Sequence, residues 1–168
     1  MTVRPPKFEI RTATNNDLPG LEWEGEYRRY RQIYRRALNE ANRGRRILLV
    51  ADMEGKLIGQ IFIQLHTVSA DPKRIPRTAY LYSFRVRPEY RNMGIGSSLV
   101  TMAEDTLREK AFHRALIGVA KENLDALRLY QRLGYEILAE DPGEWSFVDD
   151  ENRLRTIVEP TYILEKYL

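Results

Sequence analysis

Two glycines and an arginine form the segment of this sequence with the clearest chemical use. The run Arg91-Asn92-Met93-Gly94-Ile95-Gly96 follows an apolar stretch that ends at Val86 and precedes a helical pattern that starts at Ser97. Glycine permits positive φ and leaves backbone N–H groups uncovered. A helix N-terminus behind such a turn adds unpaired N–H groups and a partial positive charge. The segment is therefore predicted to bind a pyrophosphate, to which Arg91 would add its own charge.

Two common phosphate-binding motifs do not match this segment. A P-loop needs Gly-Lys-Ser or Gly-Lys-Thr, whereas Gly96 is followed by Ser97 and Ser98. The dinucleotide motif needs a third small residue for close packing of helix on strand, and this chain has Leu99 there. Neither nucleotide-binding interpretation fits, and a tight turn from strand to helix stays open as the simpler one.

A second segment carries an amide and a phenol at helical spacing. Asn123 stands where a short helix to Leu133 would begin. Its amide could bind a ligand amide, cap the helix, or do both. The hydroxyl of Tyr130, with an ordinary pKa of about 10, could protonate a departing thiolate. It could equally belong to a core aromatic, since Ala126, Tyr130 and Leu133 share one helix face.

Together the two segments resemble the GNAT N-acetyltransferase superfamily. The first matches its acetyl-CoA motif, which is Arg or Gln, two residues, Gly, one residue, then Gly or Ala, directly after a strand. The second matches its Asn-x-x-Ala-x-x-Leu-Tyr-x-x-x-Gly-Phe/Tyr segment, at the expected distance of one strand. The resemblance covers about Ala79 to Leu138. It implies an α/β (α+β) fold in one domain over residues 1–168, with helices on both faces of a mixed central sheet of about six to seven strands. The strand before the glycine loop would splay from the next.

The resemblance also implies a role for each matched residue. Acetyl-CoA would be the acetyl donor, and no metal would be required. The backbone of Phe84 and Val86 would pair with the pantetheine arm, and a backbone N–H there would stabilise the oxyanion. Asn123 would bind the arm, and Tyr130 would act as general acid near the sulfur. The pyrophosphate would be held by the backbone N–H groups of Arg91, Asn92, Met93, Gly94, Ile95, Gly96 and Ser97.

The sequence leaves the general base open. An alkyl ammonium must lose a proton before it can attack, so a base is needed. In the superfamily branch that acetylates protein N-termini, a glutamate stands on the strand before the Asn motif. Alignment places Gly118 there, which weakens that interpretation. Each remaining candidate is more readily explained as an ordinary surface group: Glu22, Glu24, Glu26, His66, Tyr82, Asp149 and Asp150.

The composition narrows the class of protein. A length of 168 residues suits one domain with a real core. The absence of cysteine excludes disulfides, thiolate metal sites and a cysteine acyl-enzyme, so direct transfer is favoured. Two histidines leave little for a metal site. No apolar run approaches the roughly 18 residues that span a membrane, and the first residues have no signal-peptide core. A cytoplasmic protein is therefore expected.

The net charge of +3 conceals two opposed blocks. Eight arginines and two glutamates lie between Glu26 and Arg46, whereas seven acids and no Lys or Arg lie between Glu136 and Glu151. The blocks could be solvated faces that meet each other. Aromatics interleave with acids at Trp23–Tyr27 and Glu144–Asp150, and such a lining would suit a small cationic amine as acceptor.

Other functions stay open at this stage. A protein lysine or N-terminus is the main alternative acceptor, and a non-catalytic acyl-CoA-binding module is the alternative to an enzyme. Nucleic acid could contact the arginine-rich helix, but the neighbouring acids and the modest total charge do not favour a dedicated binder. A homodimer is common in the superfamily.

The elements that must position these residues follow from periodicity and turn residues. Residues 1–6 are expected to be a mobile lead-in, and Thr14 with Asp17 predicts a capped helix start. Helices are predicted over Glu24–Asn42, Ser97–Lys110 and Asn123–Leu133. Irregular segments are predicted from Thr67 to Thr78 and in the acidic block. Strands are predicted over Phe8–Thr14, Ile47–Ala51, Leu57–Leu65, Ala79–Val86, Ala115–Val119 and Tyr135–Leu138, with Thr156–Val158 or Thr161–Tyr167 closing the sheet.

Overall fold

A computed structural model describes residues 7–65 and 77–168 of the chain. The predicted lead-in, the candidate base His66 and all but the end of the loop predicted from Thr67 to Thr78 lie outside the described residues.

Seven strands form one mixed sheet. Their order is β1-β2-β3-β4-β5-β9-β6. Strands β1, β2, β3 and β4 are neighbours in that order, and each pairs antiparallel with the next. Strands β4 and β5 are parallel. Strand β9 lies between β5 and β6 and is antiparallel to both. Of the two candidates for the closing strand, the later one is therefore correct. The strands of this sheet are β1 (Glu9–Thr12), β2 (Arg46–Met53), β3 (Lys56–Gln64), β4 (Thr78–Val86), β5 (Arg114–Ala120), β6 (Glu136–Asp141) and β9 (Thr161–Tyr167).

The acidic block forms a hairpin where an irregular loop was predicted. Strands β7 (Glu144–Val148) and β8 (Leu154–Val158) pair with each other in a separate two-stranded sheet. The carboxylate of Asp149 closes the turn between them, because it accepts hydrogen bonds from the backbone N–H groups of Glu151 and Arg153 at 2.9 Å. The strands were not predicted because the many acidic residues obscure the alternation of apolar and polar side chains. The turn depends on hydrogen bonds from backbone N–H groups to a side chain, which the sequence pattern did not reveal.

In the described part of the chain, four α-helices cover the sheet, and one of them starts later than predicted. They are α1 (Leu18–Leu21), α2 (Arg31–Asn42), α3 (Ile95–Glu109) and α4 (Leu124–Arg132). Helix α2 was expected from Glu24. A left-handed turn delays it, since Trp23, Glu24 and Gly25 have φ of 47°, 56° and 98°, values that end a right-handed helix. The face of α2 that packs on the sheet consists of the buried residues Tyr34, Ala37 and Leu38.

The core lies on both sides of the sheet, as the resemblance implied. On one side, α1 and α2 pack on alternate residues of β2 and β3, including Leu48, Val50 and Phe62. On the other side, α3 and α4 pack on the opposite alternation and on β4, β5 and β9. Within the described ranges, no helix is both long enough and apolar enough to cross a bilayer.

Candidate active site

A fork opens between the two parallel strands at the centre of the sheet. Strands β4 and β5 pair only from Thr78 with Arg114 to Leu81 with Ile117. Beyond that point β5 continues along β9 as far as Ala120, whereas β4 continues along β3 as far as Val86. The fork-facing edge of β4 from Tyr82 to Val86 therefore has no partner strand in the described part of the chain. The predicted splay is confirmed.

A β-bulge in β4 turns two aromatic side chains to opposite sides of the sheet. Tyr82 pairs with Phe62, and Arg85 pairs with Gln60, so Ser83 and Phe84 together stand opposite one residue of β3. Ser83 takes φ of 52°, in the left-handed region, which is typical of the extra residue of a bulge. Tyr82 consequently packs on the α2 side, whereas Phe84 and Val86 pack on the α3 side.

The first turn of α3 lies where β4 ends. Gly94 is the N-cap with φ of 83°, and the helix starts at Ile95, two residues earlier than predicted. The first helical hydrogen bond runs from the N–H of Ser98 to the carbonyl of Gly94 at 3.0 Å. The N–H groups of Ile95, Gly96 and Ser97 consequently have no partner within the helix. The preceding residues are exposed, and Asn92 also has positive φ, at 61°. This arrangement can bind an anion.

The two glycines of the motif serve different purposes. Only Gly94 needs its backbone freedom, since Gly96 is an ordinary helical residue. A Cβ on Gly96 would lie 3.0 Å from the ring of Phe84, so glycine there lets the helix approach β4 closely. Arg91 is exposed and donates from its Nε to the carbonyl of Val86 at 3.1 Å, which holds the loop against the strand. Met93 is exposed as well.

Helix α4 brings Asn123 and Tyr130 to the α3 side of the sheet. The amide oxygen of Asn123 accepts the N–H of Ala126 at 3.2 Å, so the residue is an N-cap. Its amide nitrogen stays available on an exposed side chain. Tyr130 is buried, and its ring centroid lies 5.7 Å from that of Phe84. Burial raises the pKa of Tyr130 far above 10, and nearby Tyr80 raises it further.

Most carboxylates named as candidate bases are already paired with arginine. Glu22 binds Arg31 through two bonds of 2.7 and 2.9 Å. Glu24 binds Arg87 at 2.7 and 3.1 Å, which lowers the pKa of Glu24.

The acids of the hairpin are engaged in the same way. Asp149 is held by Arg155 at 2.8 Å, which lowers its pKa, and Asp150 lies 3.3 Å from Arg28. Glu26 is exposed. Of the acids in the predicted lining for a cationic acceptor, Glu24, Asp149 and Asp150 are paired with arginine, so less negative charge is available there than the sequence suggested.

The opposed charge blocks meet at the hairpin. Besides the pair of Arg28 with Asp150, the side chain of Gln32 donates to the carbonyl of Asp149 at 2.8 Å. Tyr30 packs on Trp145 and Phe147, with ring centroids 6.2 and 5.0 Å apart. The blocks thus hold α2 against the hairpin, next to the fork, which agrees with the interpretation of two faces that meet.

Two tyrosines on the α2 side of β4 face this region, and the sequence argument used only one of them. Tyr80 and Tyr82 stack with ring centroids 6.3 Å apart. The Tyr80 hydroxyl lies against Gly118 of β5, at the point where the strands part. Burial raises the pKa of both tyrosines, so both hydroxyls keep their protons at neutral pH. Strand alternation from Tyr82 was the signal that could have identified Tyr80.

Across residues 7–65 and 77–168, no three histidine, aspartate or glutamate side chains come together as a metal site. The groups that the structure does gather at the fork are backbone N–H groups, an amide, hydroxyls and arginines.

Curated relatives share part of this chain. A mycothiol acetyltransferase of Cellulomonas flavigena is 26% identical over 95 residues, which are 55% of this chain and 27% of that protein. A thialysine N-epsilon-acetyltransferase of Sus scrofa is 32% identical over 81 residues, which are 48% of each chain. The chain thus spans about a quarter to a half of the length of these relatives.

The fold as a whole matches known structures, and a family model covers the motifs. The PaiA N-acetyltransferase of Thermoplasma acidophilum, solved with coenzyme A, superposes with a TM-score of 0.70 at 19% identity, over 96% of this chain and 99% of that one. The acetyltransferase (GNAT) family model matches residues 12–135, from the end of β1 through both motifs and the fork between them. This chain therefore belongs to the GNAT acetyltransferase family.

Proposed function

We propose that this protein is an acetyl-CoA-dependent N-acetyltransferase that transfers the acetyl group directly to a primary amine. The observation that carries the proposal is the juxtaposition of the unpaired edge of β4 with the free N–H groups at the start of α3. The edge of β4 can pair with an extended chain that carries amides, and the N–H groups at the start of α3 can bind an anion. Coenzyme A has such a chain, the pantetheine arm, and such an anion, the pyrophosphate.

The residues at the fork fit that donor. The backbone of Phe84 and Val86 would bind the pantetheine arm as an added strand. Asn123 would donate its free amide N–H to the same arm, since its oxygen already caps α4. The pyrophosphate would be bound by the N–H groups between Arg91 and Ser97, as the sequence motif implies.

Acetyl-CoA would supply an activated acetyl thioester, and the chain would supply the proton transfers. A backbone N–H near Phe84 would stabilise the charge that develops on the carbonyl oxygen. Tyr130 would give its proton to the sulfur as the carbon–sulfur bond breaks. Burial raises the pKa of Tyr130, so its hydroxyl is protonated at neutral pH and has a hydrogen to donate to the sulfur.

Deprotonation of the acceptor amine would depend on hydroxyls and water more than on carboxylates. The paired acids near the fork make poor bases, because a bound guanidinium stabilises the carboxylate form. The hydroxyl of Tyr80 can accept a hydrogen bond from the amine and donate one to water, whereas the hydroxyl of Tyr82 already accepts a hydrogen bond from Nη1 of Arg46 at 2.5 Å.

Small amines are the acceptors that we favour. Two relatives are named for mycothiol and thialysine, and this supports a small acceptor. The alternative of a protein N-terminus has less support, because Tyr80 fills the space into which a glutamate at position 118 would project.

Binding of acetyl-CoA is the first test. Thermal unfolding would be followed with and without the ligand, and at a hundredfold excess over Kd we expect a stabilisation of about 2.7 kcal/mol. Desulfo-CoA should stabilise similarly, because the contacts proposed to bind the donor are made to its pantetheine arm and its pyrophosphate. Failure of acetyl-CoA to bind at millimolar concentration would overturn the proposal.

Turnover would then be followed by release of the CoA thiol, with panels of small amines and of peptides. Tyr130→Phe should lower kcat about 100-fold while the Kd for acetyl-CoA stays within a factor of two or three. Tyr167→Phe, an exposed tyrosine on the last strand, is the matched control and should behave as the parent protein. An unchanged kcat in Tyr130→Phe would remove Tyr130 from the mechanism. Binding without turnover of any amine or peptide would favour the non-catalytic module.

A further inference from the structure

Arg85 of β4 carries a guanidinium that the described residues do not neutralise. Its Nη2 donates to the hydroxyl of Tyr34 at 2.6 Å and to the carbonyl of Leu21 at 3.3 Å. Its Nε and Nη1 are buried and have no hydrogen-bond partner. Because Nε carries one hydrogen and Nη1 carries two, three of the five N–H donors are unused. No carboxylate of residues 7–65 or 77–168 forms an ion pair with Arg85.

Acids are close by, but each is directed to another arginine. Glu22 binds Arg31, and Glu24 binds Arg87, two residues further along the strand from Arg85. A cation removed from water without a counter-charge is unfavourable, so buried charges are normally paired. The folded chain therefore leaves Arg85 without a counter-charge, while its neighbours Arg31 and Arg87 are paired with Glu22 and Glu24.

An aromatic cage covers the guanidinium. The Cζ atom of Arg85 lies 3.4 Å from the ring centroid of Tyr27, 4.8 Å from that of Trp23 and 5.7 Å from that of Tyr34. Such cation–π contacts stabilise a positive charge, but they do not provide acceptors for the N–H groups of the guanidinium. Trp23 and Tyr27 belong to the left-handed turn before α2, in which Trp23 is buried and Tyr27 is only half-buried. The ion pair of Glu24 with Arg87 also holds this turn, but the Glu24 side chain is 72% exposed, so the pair adds little stability.

The bulge in β4 fixes where this cation lies relative to the fork. Phe84 faces α3, whereas the next residue, Arg85, reaches Tyr34 of α2 on the side occupied by Tyr80 and Tyr82. An acceptor that approaches the end of the fork from the α2 side would therefore pass Arg85. A negative group on that acceptor would meet the unused donors.

We propose that Arg85 binds a carboxylate of the acceptor, so that the substrate class is small molecules that carry both an amine and a carboxylate, such as amino acids. This inference rests on the proposed function and narrows its acceptor. The guanidinium supplies directed N–H donors to the planar carboxylate, Tyr27 moves aside to admit it, and the amine is left at the fork.

Matched acceptor pairs test the substrate class. Lysine against cadaverine, and β-alanine against ethylamine, differ in the carboxylate and share the amine. We expect kcat/KM to be at least tenfold higher for the carboxylated member of each pair. An equal or higher value for cadaverine and ethylamine would overturn the inference, as would a preference for O-phosphoethanolamine over β-alanine, which would indicate a phosphate.

Variants of Arg85 separate recognition from a structural role. Arg85→Gln and Arg85→Lys should raise KM for lysine at least tenfold, with kcat within a factor of three and with KM for cadaverine unchanged. Arg36→Gln, at an exposed arginine of α2, is the control and should leave kcat and KM unchanged for both lysine and cadaverine. If both Arg85 variants lowered kcat/KM equally for lysine and for cadaverine, Arg85 would have a role in folding alone and the inference would be overturned.

A binding measurement keeps the test independent of turnover. The chain has two tryptophans, so Trp145→Phe leaves Trp23, in contact with Arg85, as the sole indole reporter. In the CoA-bound protein, lysine should change the Trp23 fluorescence saturably and cadaverine should not. No response to lysine or β-alanine in protein that binds acetyl-CoA would overturn this inference alone, whereas loss of acetyl-CoA binding would overturn the proposed function.

Discussion

The hydroxyl oxygen of Tyr80 lies beside Gly118, only 2.6 Å from the position that a Cβ atom on Gly118 would occupy. Real side chains do not tolerate such an approach, so the absence of a side chain at 118 is what allows the Tyr80 hydroxyl to stand at the fork. The two residues belong to parallel strands that pair just before this point, between Leu81 and Ile117.

Gly118→Ala should therefore displace Tyr80 and lower kcat about tenfold, since small misplacements at a reacting centre are costly. The Kd for acetyl-CoA should stay the same, because the side chains of Phe84 and Tyr130, which we propose lie beside the donor, are on the other side of the sheet. Tyr80→Phe keeps the ring and removes the hydroxyl, and it should lower kcat similarly. Should only Gly118→Ala lose activity, the role of Tyr80 would be one of packing.

Gly96→Ala should weaken acetyl-CoA binding. Its methyl group would meet the ring of Phe84 at 3.0 Å, so the start of α3 must move away from β4 and the N–H groups lose their alignment. We expect Kd to rise about tenfold, equivalent to about 1.4 kcal/mol, as measured by calorimetric titration. Thr101→Ala, on the exposed face of the same helix, controls for general effects on α3. An unchanged Kd for Gly96→Ala would show that the helix start does not hold the donor.

The bulge at Ser83 predicts opposite results for two substitutions. Ser83→Gly suits the φ of 52° and should stabilise the protein by about 1 kcal/mol. Valine is disfavoured in the left-handed region, so Ser83→Val should destabilise the fold. It should also weaken acetyl-CoA binding, because the backbone at Phe84 would shift. Urea unfolding and ligand titration measure the two effects. Equal stability of the two variants would contradict this account of the bulge.

Stability should fall at alkaline pH. Burial raises the pKa of Tyr34 to about 12 and also raises those of Tyr80, Tyr82, Tyr130 and Tyr135. In the unfolded chain these groups ionise at about pH 10, whereas the folded protein keeps their protons. The contribution of these protonated tyrosines to the free energy of unfolding is therefore complete below pH 10. It is lost between about pH 10 and pH 12, by about 1.4 kcal/mol per pH unit for each such tyrosine.

Urea midpoints and tyrosinate absorbance across this range measure the effect. Tyr34→Phe should make the decline less steep, because one of these groups is removed. Constant stability to pH 11, or formation of as much tyrosinate at pH 10 in the folded as in the unfolded protein, would contradict the prediction.

A buried ion pair ties the last strand to α3. Lys166 donates to both oxygens of Glu104, at 2.9 and 3.1 Å, and Tyr135 donates to the same carboxylate at 2.9 Å. Lys166→Met leaves Glu104 buried without its cation and should cost about 3 kcal/mol in urea unfolding.

The exposed pair of Lys121 with Glu140 offers the comparison. Lys121→Met should cost less than about 1 kcal/mol. If the double variant Lys166→Met with Glu104→Gln were no more stable than Lys166→Met alone, the unpaired charge would not be the cause of the loss.

The sequence by itself determined the parts of the site that are local along the chain. The turn at Gly94, the start of α3 and the cap at Asn123 depend on backbone freedom and on side chains within a few residues. They were predictable for that reason, together with the positions of the strands along the chain and the family. The later start of α2 was missed, because the left-handed turn at Trp23 and Glu24 uses residues that give no such signal.

Only the tertiary structure decided which charges remain unpaired. The acids near Trp23 and in the block from Glu136 to Glu151 looked like a lining for a cation, but the fold pairs Glu24 with Arg87 and Asp150 with Arg28, two arginines that are far away along the chain. The same packing left Arg85 without a carboxylate, since its partners are set by the bulge at Ser83 and by the turn before α2. Long-range pairing of this kind depends on distances between strands and helices, which no spacing along the chain records.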